Sequence, residues 1–230
     1  MNHIVIFSHG FGVYADDRGL FPDIIKYLDS NVEPIMFDYN QREADNTLIA
    51  STLEAQTEKL RKVYRATRAK HPNATIDLIC HSQGCVIAAL AQLEGVRKTI
   101  FLAPADDKFG QNIDEKIQDV TERKMRPGTK VFEDGTISYP RRDGSTTIIP
   151  KEYWESRRDV MPVHLYESLA TRTELIIVQA TNDEVIGLTD FSELSNNVRI
   201  IQMKTGHDFE GEDREKVAHS IANELGVNHE

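Results

Sequence analysis

Short apolar runs alternate with stretches of helical period along most of the chain. His3-Ile4-Val5-Ile6-Phe7 is a compact strand-like run, and Ser8-His9-Gly10-Phe11-Gly12 follows it as a glycine-containing loop. Within residues 20–28, Phe21, Ile24, Ile25 and Leu28 fall on one helical face. Pro34-Ile35-Met36-Phe37-Asp38 predicts a second strand. Residues 47–70 carry Leu48, Leu53, Leu60, Val63 and Tyr64 at helical spacing, which predicts one long helix ended by Pro72-Asn73. A third strand is expected at 75–79 and a helix from there to about residue 94. Further strands fall at 99–103, stopped by Pro104, at 174–179 and at 198–203. Residues 214–225 close the pattern as a helix, with Gly226 placed as its stop. Strand and helix in alternation predict an α/β fold: a six-stranded parallel sheet with helices packed on it.

Residues 106–168 break this rhythm. They are polar and carry Phe109, Phe132, Tyr139, Tyr153, Trp154 and Tyr166. Asp134-Gly135 between Val131-Phe132 and Ile137-Ser138-Tyr139 reads as a hairpin turn. Arg141-Arg142-Asp143-Gly144 reads as a second turn, pairing residues 136–139 with 146–149. The expected organisation is a core of residues 1–105 and 169–230, interrupted by a small cap at 106–168. Amphipathic aromatics beside a site make natural substrate contacts, so Tyr153, Trp154 and His164 are candidate substrate-binding residues.

The 230 residues are enough for one sizeable core, and 40% hydrophobic with 28% charged residues is ordinary for a globular domain. A net charge of −10 argues against a nucleic-acid or anionic-membrane surface, because both rest on dense basic patches. Met1-Asn2-His3 lacks the basic start of a signal peptide, and no run reaches membrane-spanning length. A cytoplasmic protein is the expectation. Cys80 and Cys85 are expected as buried free thiols in a reducing compartment, and their spacing does not resemble a metal site.

The chemistry is concentrated at Cys80-His81-Ser82-Gln83-Gly84. An apolar strand precedes it and Cys85-Val86-Ile87-Ala88-Ala89-Leu90-Ala91 follows as a helix. A serine at a sharp strand-to-helix turn has its hydroxyl lifted clear of the sheet, with the helix start aimed at a reacting carbonyl. Serine is also a good helix N-cap, so the turn by itself fits either role. A weak nucleophile needs a base and an orienting acid. Asp183 lies just past the fifth strand and His207 just past the sixth, and strand carboxyl ends in a parallel sheet converge on one edge. The chain order Ser82…Asp183…His207 is the order this arrangement requires. The backbone amides of Phe11 and Gln83 are the candidate oxyanion hole.

On these residues the chain resembles the α/β-hydrolase-fold serine hydrolases, over a stretch from His3 to nearly the C-terminus. The family's sheet usually has eight strands, of which the first two form an edge hairpin. The resemblance implies that this chain begins at the equivalent of the third strand. It also implies a three-layer α/β/α sandwich whose six strands run in the order 2-1-3-4-5-6. Cys80 departs from the family pattern by standing where the first glycine of G-x-S-x-G is usual. Leu102-Ala103-Pro104-Ala105, the following cap and Asn182-Asp183-Glu184-Val185 are similar to bacterial cinnamoyl and feruloyl esterases, which implies ester hydrolysis under a partly aromatic cap.

The remaining polar residues are read as structural. His81 is expected to point away from the site and support the loop, and His3, His71, His219 and His229 to be solvated. Asp190 is the rival to Asp183, and Asp208 is expected to cap the last helix. Asp16, Asp17 and Arg18 are read as a solvated loop, and Arg141, Arg142, Arg157 and Arg158 as a charged cap surface. The combined expectation is a carboxylesterase-like enzyme that needs no cofactor or metal. It would act on small to medium acyl or aromatic esters as a monomer or homodimer. A thioesterase, acyltransferase or carbon–carbon hydrolase with the same three residues, or a ligand-binding protein on the same fold, is the alternative.

Overall fold

A computed structural model describes residues 2–43, 45, 47–118, 127–141 and 144–227. The chain begins with β1 (His3–Ser8), α1 (Leu20–Ile25), β2 (Val32–Met36), β3 (Gln41–Arg42), β4 (Thr47–Ile49) and α2 (Leu53–Lys70). It continues through β5 (Thr75–His81), α3 (Gln83–Ala91), β6 (Lys98–Leu102), a short 3-10 turn (Asp107–Phe109) and α4 (Ile113–Gln118). Next come β7 (Lys130–Val131), β8 (Ile137–Pro140), β9 (Thr146–Ile149), α5 (Lys151–Arg157) and α6 (Pro162–Ala170). The chain closes with β10 (Glu174–Ala180), β11 (Arg199–Met203) and α7 (Glu212–Leu225).

The main sheet has six strands in the order β11-β10-β6-β5-β1-β2. Every neighbouring pair is parallel. This is the order the resemblance implies. Both faces of the sheet are covered, which explains why its central strands read as continuous apolar runs rather than alternating ones. Ile4, Ile6, Leu78 and Phe101 pack under Leu53 and Leu60 of α2, the apolar α3 and Tyr166 of α6. Their strand neighbours Val5, Phe7, Ile79, Ile100 and Leu102 turn to the opposite face, against Leu20, Phe21 and Ile24 of α1 and Val217 and Ile221 of α7. Each such side chain, fully buried, contributes about 1.5–3 kcal/mol. β2 starts two residues earlier than its apolar run indicates. It lies at the sheet edge, the position that tolerates Pro34.

A second sheet has five strands in the order β3-β4-β9-β8-β7. The Asp134-Gly135 hairpin joins β7 to β8, and β8 pairs with β9 from Ile137↔Ile149 to Pro140↔Thr146. Arg142 and Asp143, within the second expected turn, lie outside the described residues. The sheet also takes β3 and β4 from the stretch before α2, so it draws on more of the chain than residues 106–168. The single long helix expected at 47–70 is therefore divided. Thr47-Leu48-Ile49 pairs in parallel with β9, and the helix begins after Thr52, whose hydroxyl accepts the Ala55 amide at 3.3 Å. Leu48 satisfied a helical period and a strand period equally, and pairing with a distant strand decided between them. Beneath this sheet Ala50, Ile113, Ile137, Ile149, Tyr153 and Trp154 form a separate apolar cluster.

Candidate active site

Ser82 stands between the last residue of β5 and the first of α3, with φ 52° and ψ −121°. A non-glycine residue there is strained, and such strain persists only where the surroundings enforce it. The packing around Gly84 supplies the enforcement. A Cβ at this position would fall 2.1 Å from the Ser8 carbonyl oxygen, so α3 starts in direct contact with the end of β1. Ser8 also donates its hydroxyl to the Gly84 carbonyl at 2.9 Å, and the buried Tyr39 hydroxyl lies 2.6 Å from the same Ser8 oxygen. The Ser82 hydroxyl makes no capping bond to α3. It lies 2.9 Å from Nε2 of His207. Cys80 and Cys85 are free and wholly buried, and burial pushes both thiols well above their ordinary range.

His207 is held at four polar atoms. Its Nδ1 is 2.6 Å from Asp183, its Nε2 faces Ser82, its amide donates to Glu184 at 3.2 Å, and its carbonyl accepts from His81 Nε2 at 3.0 Å. Asp183 is fixed in turn: its other oxygen accepts the amides of Val185 and Ile186, both at 2.9 Å. Burial pushes the Asp183 carboxyl up. The hydrogen bond and charge of His207, with the two amides, outweigh that and hold it below the usual carboxylate range. Ser82, Asp183 and His207 thus meet at the carboxyl edge of the sheet, in one hydrogen-bonded line.

The loop after β1 runs beside Ser82. A Cβ on Gly10 would sit 3.4 Å from both the Ser82 Cβ and the His81 ring, so a glycine keeps this backbone close to the hydroxyl. Phe11 follows, its ring stacked on Tyr153 at 4.7 Å with the Arg141 guanidinium 5.3 Å from its centroid. Gln83, as the first helical residue, has an amide with no carbonyl one turn before it. Its side chain is pinned, accepting from the Tyr153 hydroxyl at 2.5 Å and donating to Gln56 at 2.9 Å. Gln56 donates in turn to the Ser51 carbonyl at 2.5 Å. His9 closes the base of the loop. Its Nε2 accepts the Tyr39 amide at 3.1 Å, so Nδ1 carries the proton and donates to the Gly10 carbonyl at 2.8 Å. Burial lowers the proton affinity of His9.

Several expectations change. Asp17 is not solvated: it is buried, 2.8 Å from His81 Nδ1, and accepts the Gly10 amide at 2.9 Å. His81 points to this carboxylate and to the His207 carbonyl. Asp208 accepts from Arg18 at 2.7 Å instead of capping α7, whose N-cap is Gly211. Asp190 accepts the Ser192 amide at 2.9 Å, whereas His207 Nδ1 faces Asp183. Tyr153 and Trp154 belong to the apolar cluster under the second sheet, and His164 is exposed on α6, so none of the three is an open contact surface beside Ser82. Arg157 is half-buried among Phe109, Trp154 and Tyr153, whereas Arg158 pairs with Asp114 and Glu155 at the surface. His3 is mostly buried, 2.6 Å from the inaccessible Asp77. His71 is also mostly buried, near Glu33, and His219 is exposed against Tyr27. His229 lies outside the described residues.

Among the described residues, His81, His207 and Asp208 bring ligand-type atoms within 4.8 Å of one another. Those atoms are already committed, to Asp17, the His207 carbonyl, Asp183, Ser82 and Arg18, so the set does not fit a metal. No helix among the described residues is long and apolar enough to cross a membrane.

No protein-family model and no curated protein matches the sequence. Solved structures do. Est1E from Butyrivibrio proteoclasticus, a protein also solved with ferulic acid bound, aligns at TM-score 0.68 and 17% identity over 97% of this chain and 86% of that one. The esterase domain of a Rhodothermus marinus protein aligns at TM-score 0.66 and 15% identity, over 97% and 86% of the two chains. A hydrolase from Oleispira antarctica aligns at TM-score 0.62 and 14% identity over 98% and 90%. With strand order, layers and coverage all in agreement, the chain has the α/β-hydrolase fold.

Proposed function

We propose that this protein is a serine hydrolase that cleaves acyl esters through an acyl-enzyme on Ser82. The observation that carries the reading is the line Ser82–His207–Asp183, 2.9 and 2.6 Å between successive partners, on a serine held in a strained strand-to-helix turn. With Nδ1–H given to the Asp183 carboxylate, His207 presents an unprotonated Nε2 to the serine hydroxyl. As Ser82 Oγ bonds to the ester carbonyl carbon, Nε2 takes its proton, and Asp183 stabilises the imidazolium that forms. The developing oxyanion is met by the amides of Phe11 and Gln83, each donor of this kind being worth about 10²–10³ in rate. His207 then passes the proton to the leaving alkoxide as the carbon–oxygen bond breaks. Water repeats the sequence to release the acid and restore Ser82.

The second sheet covers the Phe11 side of this site and acts as the cap. Tyr153 of α5 and Arg141 hold the Phe11 ring on the cap side instead of lining an open pocket, and the substrates read for the site are small to medium acyl groups and aromatic esters. The neighbour solved with ferulic acid makes a hydroxycinnamate ester a direct probe. The test is hydrolysis of p-nitrophenyl esters from acetate to decanoate, with a hydroxycinnamate methyl ester, for wild type beside Ser82→Ala. Turnover lost in Ser82→Ala is the expected result. Equal rates in the two folded proteins would remove the reading.

A further inference from the structure

We propose that the buried Asp17–His81 pair is the positioning element of this site, locking the oxyanion loop, the serine turn and the histidine loop into one register. This rests on the function proposed above and adds two residues to it, neither in contact with Ser82 Oγ.

The hydrogen-bond inventory sets the protonation. His81 Nδ1 faces the Asp17 carboxylate at 2.8 Å and its Nε2 faces the His207 carbonyl at 3.0 Å. Both partners accept, so both ring nitrogens donate and the ring is an imidazolium. Burial pulls His81 down, but the charge and hydrogen bond of Asp17 outweigh it and hold the ring protonated above its ordinary range, while Asp17 is held below its own. The titratable groups facing His81 are Asp17 from the β1–α1 loop, and His207 and Asp208 from the loop after β11. His9 faces Asp17 in turn.

The connectivity sets the role. The Asp17 oxygen that meets His81 also accepts the amide of Gly10, the residue before Phe11. His81 is the residue before Ser82, and its other nitrogen holds the backbone of His207. One side-chain pair therefore joins the three segments that supply the oxyanion amide, the nucleophile and the base. Arg18 adds a second tie between two of them through Asp208 at 2.7 Å. Asp17 and Arg18 both adopt left-handed backbone, φ 47° and 56°, and such conformations persist in non-glycine residues only when surrounding contacts impose them. From the other side Tyr153 and Arg141 grip the Phe11 ring. The loop is clamped between a charged pair below and the cap above. Buried, hydrogen-bonded charges are costly to separate once formed, so the register is held stiffly.

The experiment is Asp17→Asn with kcat, KM and the rate of fluorophosphonate labelling, beside wild type, Ser82→Ala and Arg18→Ala. A loosened oxyanion loop acts on the transition state alone. Asp17→Asn should therefore lose about tenfold or more in kcat and in labelling rate, with KM changed by less than about threefold. Arg18→Ala, which leaves the pair intact, should lose less. A folded Asp17→Asn within twofold of wild-type kcat overturns the proposal, as does a change confined to KM. Should Asp17→Asn not fold, ¹⁵N NMR of the wild-type His81 ring decides: two protonated nitrogens persisting above the pH at which a free imidazole titrates are expected, and a ring that is neutral there refutes the pair. Absence of Ser82-dependent turnover in wild type would sink the proposed function instead, and leaves the NMR outcome to stand by itself.

Discussion

Asp183→Asn is the sharpest test of the site because the structure dictates how the new amide must turn. One carboxylate oxygen of Asp183 accepts two backbone amides, from Val185 and Ile186, both at 2.9 Å. The other receives His207 Nδ1 at 2.6 Å. An asparagine can keep the two backbone donors only by placing its oxygen there, which aims its NH₂ group at Nδ1. Nδ1 must then accept, and the ring proton moves to Nε2, where it faces the serine hydroxyl. A protonated Nε2 cannot take the Ser82 proton. The flipped alternative would set NH₂ against two N–H groups and leave both unsatisfied, at about 1–3 kcal/mol each. The substitution therefore removes base catalysis while changing almost no volume. The expected loss is about 10³–10⁴ in kcat, or about 4–5.5 kcal/mol of transition-state stabilisation. The assay is p-nitrophenyl acetate hydrolysis at pH 7.5, with circular dichroism to establish that the variant is folded. Asp183→Ala, which imposes no tautomer, should be no worse than Asp183→Asn despite its larger loss of atoms. A folded Asp183→Asn within tenfold of wild type would refute the reasoning, because His207 would then not depend on the carboxylate for its tautomer.

Three further outcomes follow from contacts elsewhere. Tyr153→Phe strands the buried Gln83 side-chain oxygen, at a cost of about 1–3 kcal/mol. In a chain of this size that corresponds to a fall in Tm of several degrees, at about 2–4 °C per kcal/mol, and an unchanged calorimetric Tm would contradict it. Gly84→Ala places a methyl 2.1 Å from the Ser8 carbonyl oxygen, so α3 must move off β1. Serine labelling by fluorophosphonate should fall with it, even where a folded variant is recovered. Burial lowers the proton affinity of His9, so His9 stabilises the fold fully above the unfolded value near 6.5, and that stability is lost as pH falls and the unfolded chain takes up the proton. Thermal melts from pH 7 to 5 should show a steeper loss in wild type than in His9→Gln, and parallel curves would exclude this origin.

How far the sequence could be read depended on the range of the interaction. The six core strands were legible because both faces of the main sheet are covered, leaving unbroken apolar runs such as Ile4-Val5-Ile6-Phe7 and Ile176-Ile177-Val178. β4 was not, since Leu48 fits a helical and a strand period alike. Its state is decided by β9, which lies beyond two further strands of the main sheet in the sequence.

The same division runs through the site. Ser82, Asp183 and His207 could be read because each follows a recognisable strand, so topology alone predicted that they would meet. Asp17 carries no such mark. It sits in an Asp16-Asp17-Arg18 run that looks like an ordinary polar loop, and its burial follows only from a fold that brings the loop beneath His81. Gln56 and Glu184 are the same kind of case: common helix and loop residues in sequence, committed in the structure to Gln83 and to the His207 amide. The aromatic ring of Tyr153 suggests a substrate contact, whereas its hydroxyl donates to the Gln83 side chain. A strand-end position marks a residue able to reach the point where Ser82, Asp183 and His207 meet. The groups around it are polar side chains whose partners come from other segments, Asp17 to His81, Tyr153 to Gln83, Glu184 to the His207 amide. Their identity is set by pairings across the whole chain, which no local period records.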